Sequence, residues 1–354
     1  MIATQPLKTE NDQNMPFSAV GADNGHGFLK LVMGEGSGQM CIRCPSKFKE
    51  IREDLTDYPM SKHGSTFYYC DGDAKELIRR EFKTGELAYN ADPHGHTKNS
   101  DRAEYKIEYA LHSLLGALGT LPFRQVWNLY IVASIHESKL FAKQLKPALE
   151  GRHFVQFNGK ESPQSIINVK VGLIVPEGAG SYVFCRHQGV IDHTKHAIAL
   201  DFGTGTIIPT VFAPNGSIEK REVLSVGGSI DLLDALARDR QIQLYEGGKL
   251  GDIELIRIGI EDRSFLYGNS GINFREAYQR ELMPWLKDRF SLCLKIVRDW
   301  RSKAGSFVVW GGGAQLPGVA AAVEKYRYTA VPDGSWANAL GLQRLAMSRL
   351  ERGK

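Results

Sequence analysis

The chain has 354 residues, 42% hydrophobic and 24% charged, a composition typical of soluble globular proteins and long enough for two domains of ordinary size. A formal charge of +4 is mild for this length and argues against direct DNA binding, which calls for a concentrated basic stripe. No apolar run reaches the length of a transmembrane segment, residues 1–16 lack the apolar core of a signal peptide, and five scattered cysteines fit reduced thiols. The expectation is a cytoplasmic protein with a disordered tail over 1–16.

Residues 17–23 read as a first core strand and 28–33 as its hairpin partner, with Gly34-Glu35-Gly36-Ser37-Gly38 a flexible turn into a third strand over 39–43. Between about 45 and 100 the chain is more polar and is broken at Tyr58-Pro59, His63-Gly64 and Asp71-Gly72, with short strand-like pieces such as 66–70. A small insertion subdomain is expected there. From Asp101 the pattern turns helical, Ile107, Ala110, Leu111, Leu114 and Leu118 sharing one face until Gly119 and Pro122 end it. A β-rich run over 126–133, an amphipathic helix over 138–149 and a strand over 166–175 follow.

Residues 197–201 then repeat the opening strand, and Pro214-Asn215-Gly216 turns the chain into 217–224, so the same order of elements begins again. Ile230, Leu233 and Ala237 mark a helix, whereas the glycine-rich, mixed-charge stretch 243–271 is left unassigned. Residues 274–300 form a long helical pattern with Ala277, Leu282, Leu286, Phe290, Leu294 and Val297 on one side and Pro284 expected to kink or split it. Leu340, Leu345 and Leu350 belong to a closing helix with a basic last turn.

Three glycine-rich stretches carry the chemistry. Asp23-Asn24-Gly25-His26-Gly27-Phe28 and Asp201-Phe202-Gly203-Thr204-Gly205-Thr206 each place an Asp-x-Gly-x-Gly at the end of an apolar strand. The strand delivers a carboxylate, and the glycines let the backbone turn tightly so that its N–H groups can approach an anion such as a phosphate. The carboxylate can hold a hydrated Mg²⁺ that neutralises the phosphate. One such hairpin is commonly an ordinary β-turn; two in the same setting imply two similarly built halves. The third stretch, Trp310-Gly311-Gly312-Gly313-Ala314, is a strand opening into glycines on which a base or ribose can lie.

Together these stretches resemble the phosphate-1, phosphate-2 and adenosine motifs of the actin-like ATPase superfamily, and most of all the ParM/StbA family of bacterial actin-like proteins. Cys44-Pro45-Ser46, Val175-Pro176-Glu177-Gly178-Ala179-Gly180, Ser225-Val226-Gly227-Gly228-Ser229 and Asn338-Ala339-Leu340-Gly341 agree with that family. The resemblance implies an α/β fold, actin-like (a duplicated ribonuclease H-like design), with two domains and an interdomain nucleotide cleft. It places domain I at 17–190, domain II at 191–339, and a helix over 340–354 returning to domain I. It also implies ATP as ligand, with GTP possible, and Mg²⁺ held by Asp23 and Asp201 mainly through water. Asn24, Gly25, His26, Gly27, Phe28 and Lys30 would serve the phosphates from the first hairpin, and Gly203, Thr204, Gly205 and Thr206 from the second. Gly227, Gly228, Gly311, Gly312, Gly313 and Ala314 would complete the nucleotide site. Glu177, with Asp201 the catalytic assignment, matches the family's water-positioning acid; as a bare sequence position it is also an ordinary loop glutamate. His26 either touches phosphate or acts as a spacer. One departure is Ile208, where the family often has an acidic residue, so no role can be carried over there.

The function implied is a filament-forming ATPase, segregating plasmid DNA through a small DNA-binding adaptor or shaping the cell as a chromosomal relative. The rival is a small-molecule kinase of the same superfamily, which would need an aspartate aimed at an acceptor hydroxyl; no such motif stands out. Two apparent metal motifs are set aside. Cys41-x-x-Cys44 lies in a strand, where i and i+3 point to opposite faces, and Asp92-Pro93-His94-Gly95-His96 reads as a solvated loop.

Overall fold

The computed structural model describes residues 16–34, 38–53, 57–224 and 227–353. The expected tail up to residue 15, residues 35–37 of the first flexible turn, and Ser225 and Val226 lie outside the described residues. The chain divides into two compact units: residues up to Asn24 with Phe28–Val175 and from Gln343 onward, and Gly25–Gly27 with Pro176–Leu342.

In the first unit, β1 (Ser18–Asn24), β2 (Phe28–Met33) and β3 (Met40–Pro45) are followed by β4 (Lys47–Ile51), β5 (Thr66–Gly72), β6 (Arg80–Thr84), α1 (Glu86–Ala91) and β7 (Thr97–Lys98). Then come α2 (Tyr105–Glu108), α3 (Ala110–Leu118), β8 (Val126–Ile135), α4 (Ser138–Leu149), β9 (Gly151–Phe157) and β10 (Gln164–Pro176). Ten strands form one sheet in the order β3-β2-β1-β8-β10-β9-β5-β6-β4-β7. The polar stretch expected to be an insertion supplies β4 to β7, which continue this sheet through the antiparallel β5–β9 pair. The α3 residues Ala110, Leu111, Leu114, Leu115 and Leu118 are buried in its core.

The second unit runs α5 (Ala179–His187), β11 (His196–Phe202), β12 (Ile207–Phe212), β13 (Ile218–Arg221), α6 (Ser229–Ala237), α7 (Arg240–Tyr245) and α8 (Ile253–Glu261). It continues with α9 (Arg275–Val297), β14 (Ala304–Trp310), α10 (Val319–Glu324), β15 (Thr329–Ala330) and α11 (Ala337–Arg352), whose last residues belong to the first unit. Its sheet order is β13-β12-β11-β14-β15. In each unit, then, the opening strand lies between its antiparallel hairpin partner and a later parallel strand, β2 and β8 for β1, β12 and β14 for β11. β11 is apolar on both faces because both are covered. Ile198, Leu200 and Phe202 face the core formed with α6, α8 and α9, while Ala197 and Ala199 face Tyr182 and Cys185 of α5.

Pro284 does not split the long helix into two elements: α9 is one α-helix of 23 residues with the proline inside it. Trp285, Leu286 and Phe290 on its buried face hold the turn in place after the proline has removed one backbone bond. The strand β9 and the helices α5, α7 and α8 were not assigned from sequence. Among the described residues no helix is long and apolar enough to cross a membrane.

Candidate functional site

β1 is apolar until it delivers Asp23, which is 9% exposed. Both strand neighbours meet its carboxylate. Lys30, opposite it in the hairpin, places Nζ 3.7 Å from Oδ2, and Ser134, opposite it on β8, donates from Oγ to Oδ1 at 3.4 Å. The lysine expected to serve phosphate is thus also the counter-ion of Asp23. Asn24 anchors the strand end: its Nδ2 donates to the Lys106 carbonyl at 2.9 Å, and its Oδ1 accepts from Asn99 Nδ2 at 3.0 Å. Phe28 lies under the Arg43 guanidinium, 3.7 Å from the ring centroid. Ser134, Lys106 and Asn99 were missed in the sequence; of these, Ser134 could have been found as the polar end of the β-rich run that became β8.

The tip Gly25–Gly27 groups with the second unit. There a Cβ on Gly27 would come within 2.8 Å of Thr204 Oγ1, and one on Gly205 within 3.0 Å of His26 Nδ1. The His26 ring therefore lies against the α-carbon of Gly205.

The second loop closes on itself, Gly203 N–H donating to the Thr206 carbonyl at 2.9 Å. The carbonyls of Gly203 and Thr204 accept from the N–H groups of Ser229 and Ile230 at 3.0 and 2.9 Å, so the first turn of α6 grips the loop. Gly228 has to be glycine for this grip, because a Cβ there would overlap the Thr204 carbonyl. Gly227, at φ +99°, lies against Arg289, which donates to Asp231 at 2.7 Å. Both glycines thus have a packing reason of their own. Ile208, opposite Asp201 in the hairpin, is buried.

Asp201 ends β11 half-buried, where two other elements reach it. A Cβ on Gly311, at φ +90°, would lie 2.5 Å from Asp201 Oδ1. Gly178, left-handed at φ +86°, follows Glu177 and starts α5; a Cβ on it would stand 3.7 Å from Asp201 Oδ2. The Glu177 turn, Asp201 and Gly311 therefore converge. Gly313 packs on Phe202, and Ala314 is buried in the core. Gly312 differs from these. Its φ of −64° and ψ of −38° suit any residue, and a Cβ there would meet nothing within 4 Å.

Residues 21–180 match the family model described as the N-terminal domain of actin-like proteins. The fold is actin-like. The archaeal actin homologue Ta0583 is similar over 94% of this chain and 100% of its own, at 19% identity and a TM-score of 0.72, and its complex with ADP superposes at 0.69. A non-polymerisable quadruple mutant of pCBH ParM, at 16% identity, covers the same shares with a TM-score of 0.71. A 15-stranded ParM filament from Clostridium botulinum, at 14% identity, again covers the same shares with a TM-score of 0.68. No curated protein matches the sequence.

Of the two apparent metal motifs, Asp92 to His96 forms a hydrogen-bonded turn, and the two cysteines differ in exposure. Asp92 accepts from Lys49 Nζ at 2.6 Å and from Gly95 N–H at 2.7 Å, and it closes its own turn. His96 is bonded to the Asp92 carbonyl at 2.7 Å, and burial lowers its pKa. Cys41 is exposed whereas Cys44 is buried, its thiol pushed up to about 12 by desolvation.

Proposed function

We propose that this chain is a nucleotide-dependent, filament-forming ATPase of the prokaryotic cytoskeleton. The observation that carries the reading is the convergence of the Glu177 turn, the Asp201 carboxylate and the Gly311 backbone, each at the end of its own strand. Gly312 adds to it: with no internal reason to be glycine, it is suited to a ligand lying flat on the backbone. The preference for ATP over GTP rests on the motif resemblance.

Asp23 and Asp201 would hold Mg²⁺ through its water shell. Among the described residues no group of three or more His, Cys, Asp or Glu side chains could grip a bare ion, and single carboxylates suit a cation that keeps several waters. When bound, the ion would neutralise phosphate charge. The loop N–H groups of Thr204, Gly205 and Thr206, with Lys30, would orient the phosphates. Glu177 would accept a hydrogen bond from the attacking water and aim it at the terminal phosphorus.

Self-assembly into filaments is supported by the ParM of this fold recorded as a filament. The biological use, plasmid segregation through a small DNA-binding adaptor or a role in cell shape, follows from the same resemblance. The test is phosphate release without added acceptor, measured beside light scattering with ATP, GTP and non-hydrolysable analogues. Release and scattering together are expected with ATP. Flat scattering at every protein concentration would remove the filament, and release that needs an added sugar or acid acceptor would assign a kinase.

A further inference from the structure

Between the α8–α9 connection, the first turns of α9 and the Pro317-Gly318 turn, the second unit holds an open cavity of about 270 Å³, lined by none of the residues placed in the nucleotide site. Its floor is apolar. The Phe265 ring and the Leu282 side chain are buried there, and Tyr278 already donates its hydroxyl to the Pro317 carbonyl at 2.8 Å. A floor with no spare polar group cannot read the edge of a base or a sugar, but it accepts an apolar side chain. Its rim is cationic. Arg263 and Arg275 are exposed, and among the described residues neither is ion-paired and no acidic residue lines the cavity. Arg275 is held in place, its guanidinium 4.2 Å from the Phe265 ring centroid and its Nη2 donating to the Arg263 carbonyl at 3.2 Å. Arg263, two residues past the end of α8, is left-handed at φ +63°, so a long cation occupies a position where a helix end favours glycine. The apolar surface also runs past the cavity: Leu266, next to Phe265 in the chain, is 42% exposed, and Met283, one turn beyond Gln279 on α9, is 46% exposed. A cavity smaller than ordinary small-molecule pockets, set in a longer apolar strip with two cations at its edge, suits an anchoring side chain of a protein segment.

We propose that this groove docks a segment of a partner protein in which an aromatic or aliphatic residue is flanked by carboxylates. The apolar side chain fills the cavity, and the carboxylates pair with Arg263 and Arg275. Nucleotide binding and turnover play no part in this contact.

The probe is a phage-displayed library of random dodecapeptides, selected on the wild-type protein without nucleotide and counter-selected on Gln279→Trp, whose indole plugs the groove. Peptides with an aromatic residue or leucine beside Asp or Glu are expected. No enrichment over the plugged variant, or enrichment of peptides that lack acidic residues, would overturn the proposal. The tightest peptide is then titrated against Arg263→Gly beside a thermal melt. Glycine suits the left-handed backbone, so the melting temperature should hold or rise, while affinity for the peptide should fall about tenfold with the charge-assisted hydrogen bonds. Wild-type affinity in Arg263→Gly would overturn the charge recognition. A joint loss of stability and affinity would make the arginine structural and overturn it equally. Self-association of the wild-type protein that Gln279→Trp abolishes, read by sedimentation, would give the groove to a second copy of this chain instead of a partner.

Discussion

Replacing Gly228 by alanine should disable the second loop without unfolding the protein. The new Cβ would stand about 2.5 Å from the Thr204 carbonyl carbon and 2.7 Å from that of Gly205. Carbon atoms normally settle 3.5–4.0 Å apart, so α6 and the loop must separate by about 1 Å. That separation breaks the Ser229-to-Gly203 and Ile230-to-Thr204 hydrogen bonds, each worth roughly 1 kcal/mol net. The stability loss is then about 2 kcal/mol, or a fall in Tm of no more than about 8 °C for a chain this long. Function should suffer far more, because a displacement of about 1 Å in groups that orient a substrate costs on the order of a hundredfold in rate. Phosphate release and nucleotide titration, run beside a thermal melt, read both effects. Wild-type kcat/KM in Gly228→Ala would refute the idea that α6 sets the loop for phosphate, and global unfolding would refute the local accounting.

Gly312→Ala is the complementary change: with no atom within 4 Å of its Cβ, the melting temperature should hold while ATP affinity drops several-fold, and unchanged affinity by titration would remove Gly312 from the site. Glu177→Ala should keep ATP affinity and assembly but lower phosphate release by on the order of a hundredfold, so that its filaments outlast wild-type ones in a scattering time course. His112, buried among Phe48, Phe67, Phe82 and Tyr109, has its pKa pushed down to about 3 by desolvation. Between pH 6.5 and 3 the unfolded chain binds a proton that the folded chain refuses, so stability should fall by about 1.4 kcal/mol per unit as the pH drops through that window. His112→Phe should flatten this slope in denaturant titrations at pH 6, 5 and 4.

The elements legible in the sequence are those whose own residues determine them. β1, β2, β8, β11 and β14 are apolar runs, and β1, β11 and β14 lead into the two Asp-x-Gly-x-Gly hairpins and the Gly311–Gly313 stretch. Strand β9 was illegible because Gly151–Phe157 mixes Arg152, His153 and Gln156 with apolar residues; its identity comes from pairing with β5 and β10. Helix α5 was hidden for a similar reason: its face toward Phe212 is built of Tyr182 and Cys185, not a leucine stripe. Pro284 does not split α9 because a helix backed by Trp285, Leu286 and Phe290 can carry a proline that an isolated helix could not.

What the motif spacing could not convey is that the two aspartates have different strand neighbours. Asp23 and Asp201 end equivalent strands, each beside an antiparallel hairpin partner and a parallel neighbour. Across the hairpin Asp23 faces Lys30, a cation, whereas Asp201 faces Ile208. Across the parallel pair Asp23 receives the Ser134 hydroxyl, whereas Asp201 has Trp310. The first carboxylate is therefore partly neutralised by the chain itself, and the second has no cation as a strand neighbour. The two equivalent strand positions thus differ in the residue opposite each aspartate, lysine for Asp23 and isoleucine for Asp201, a difference that the shared Asp-x-Gly-x-Gly spacing does not carry.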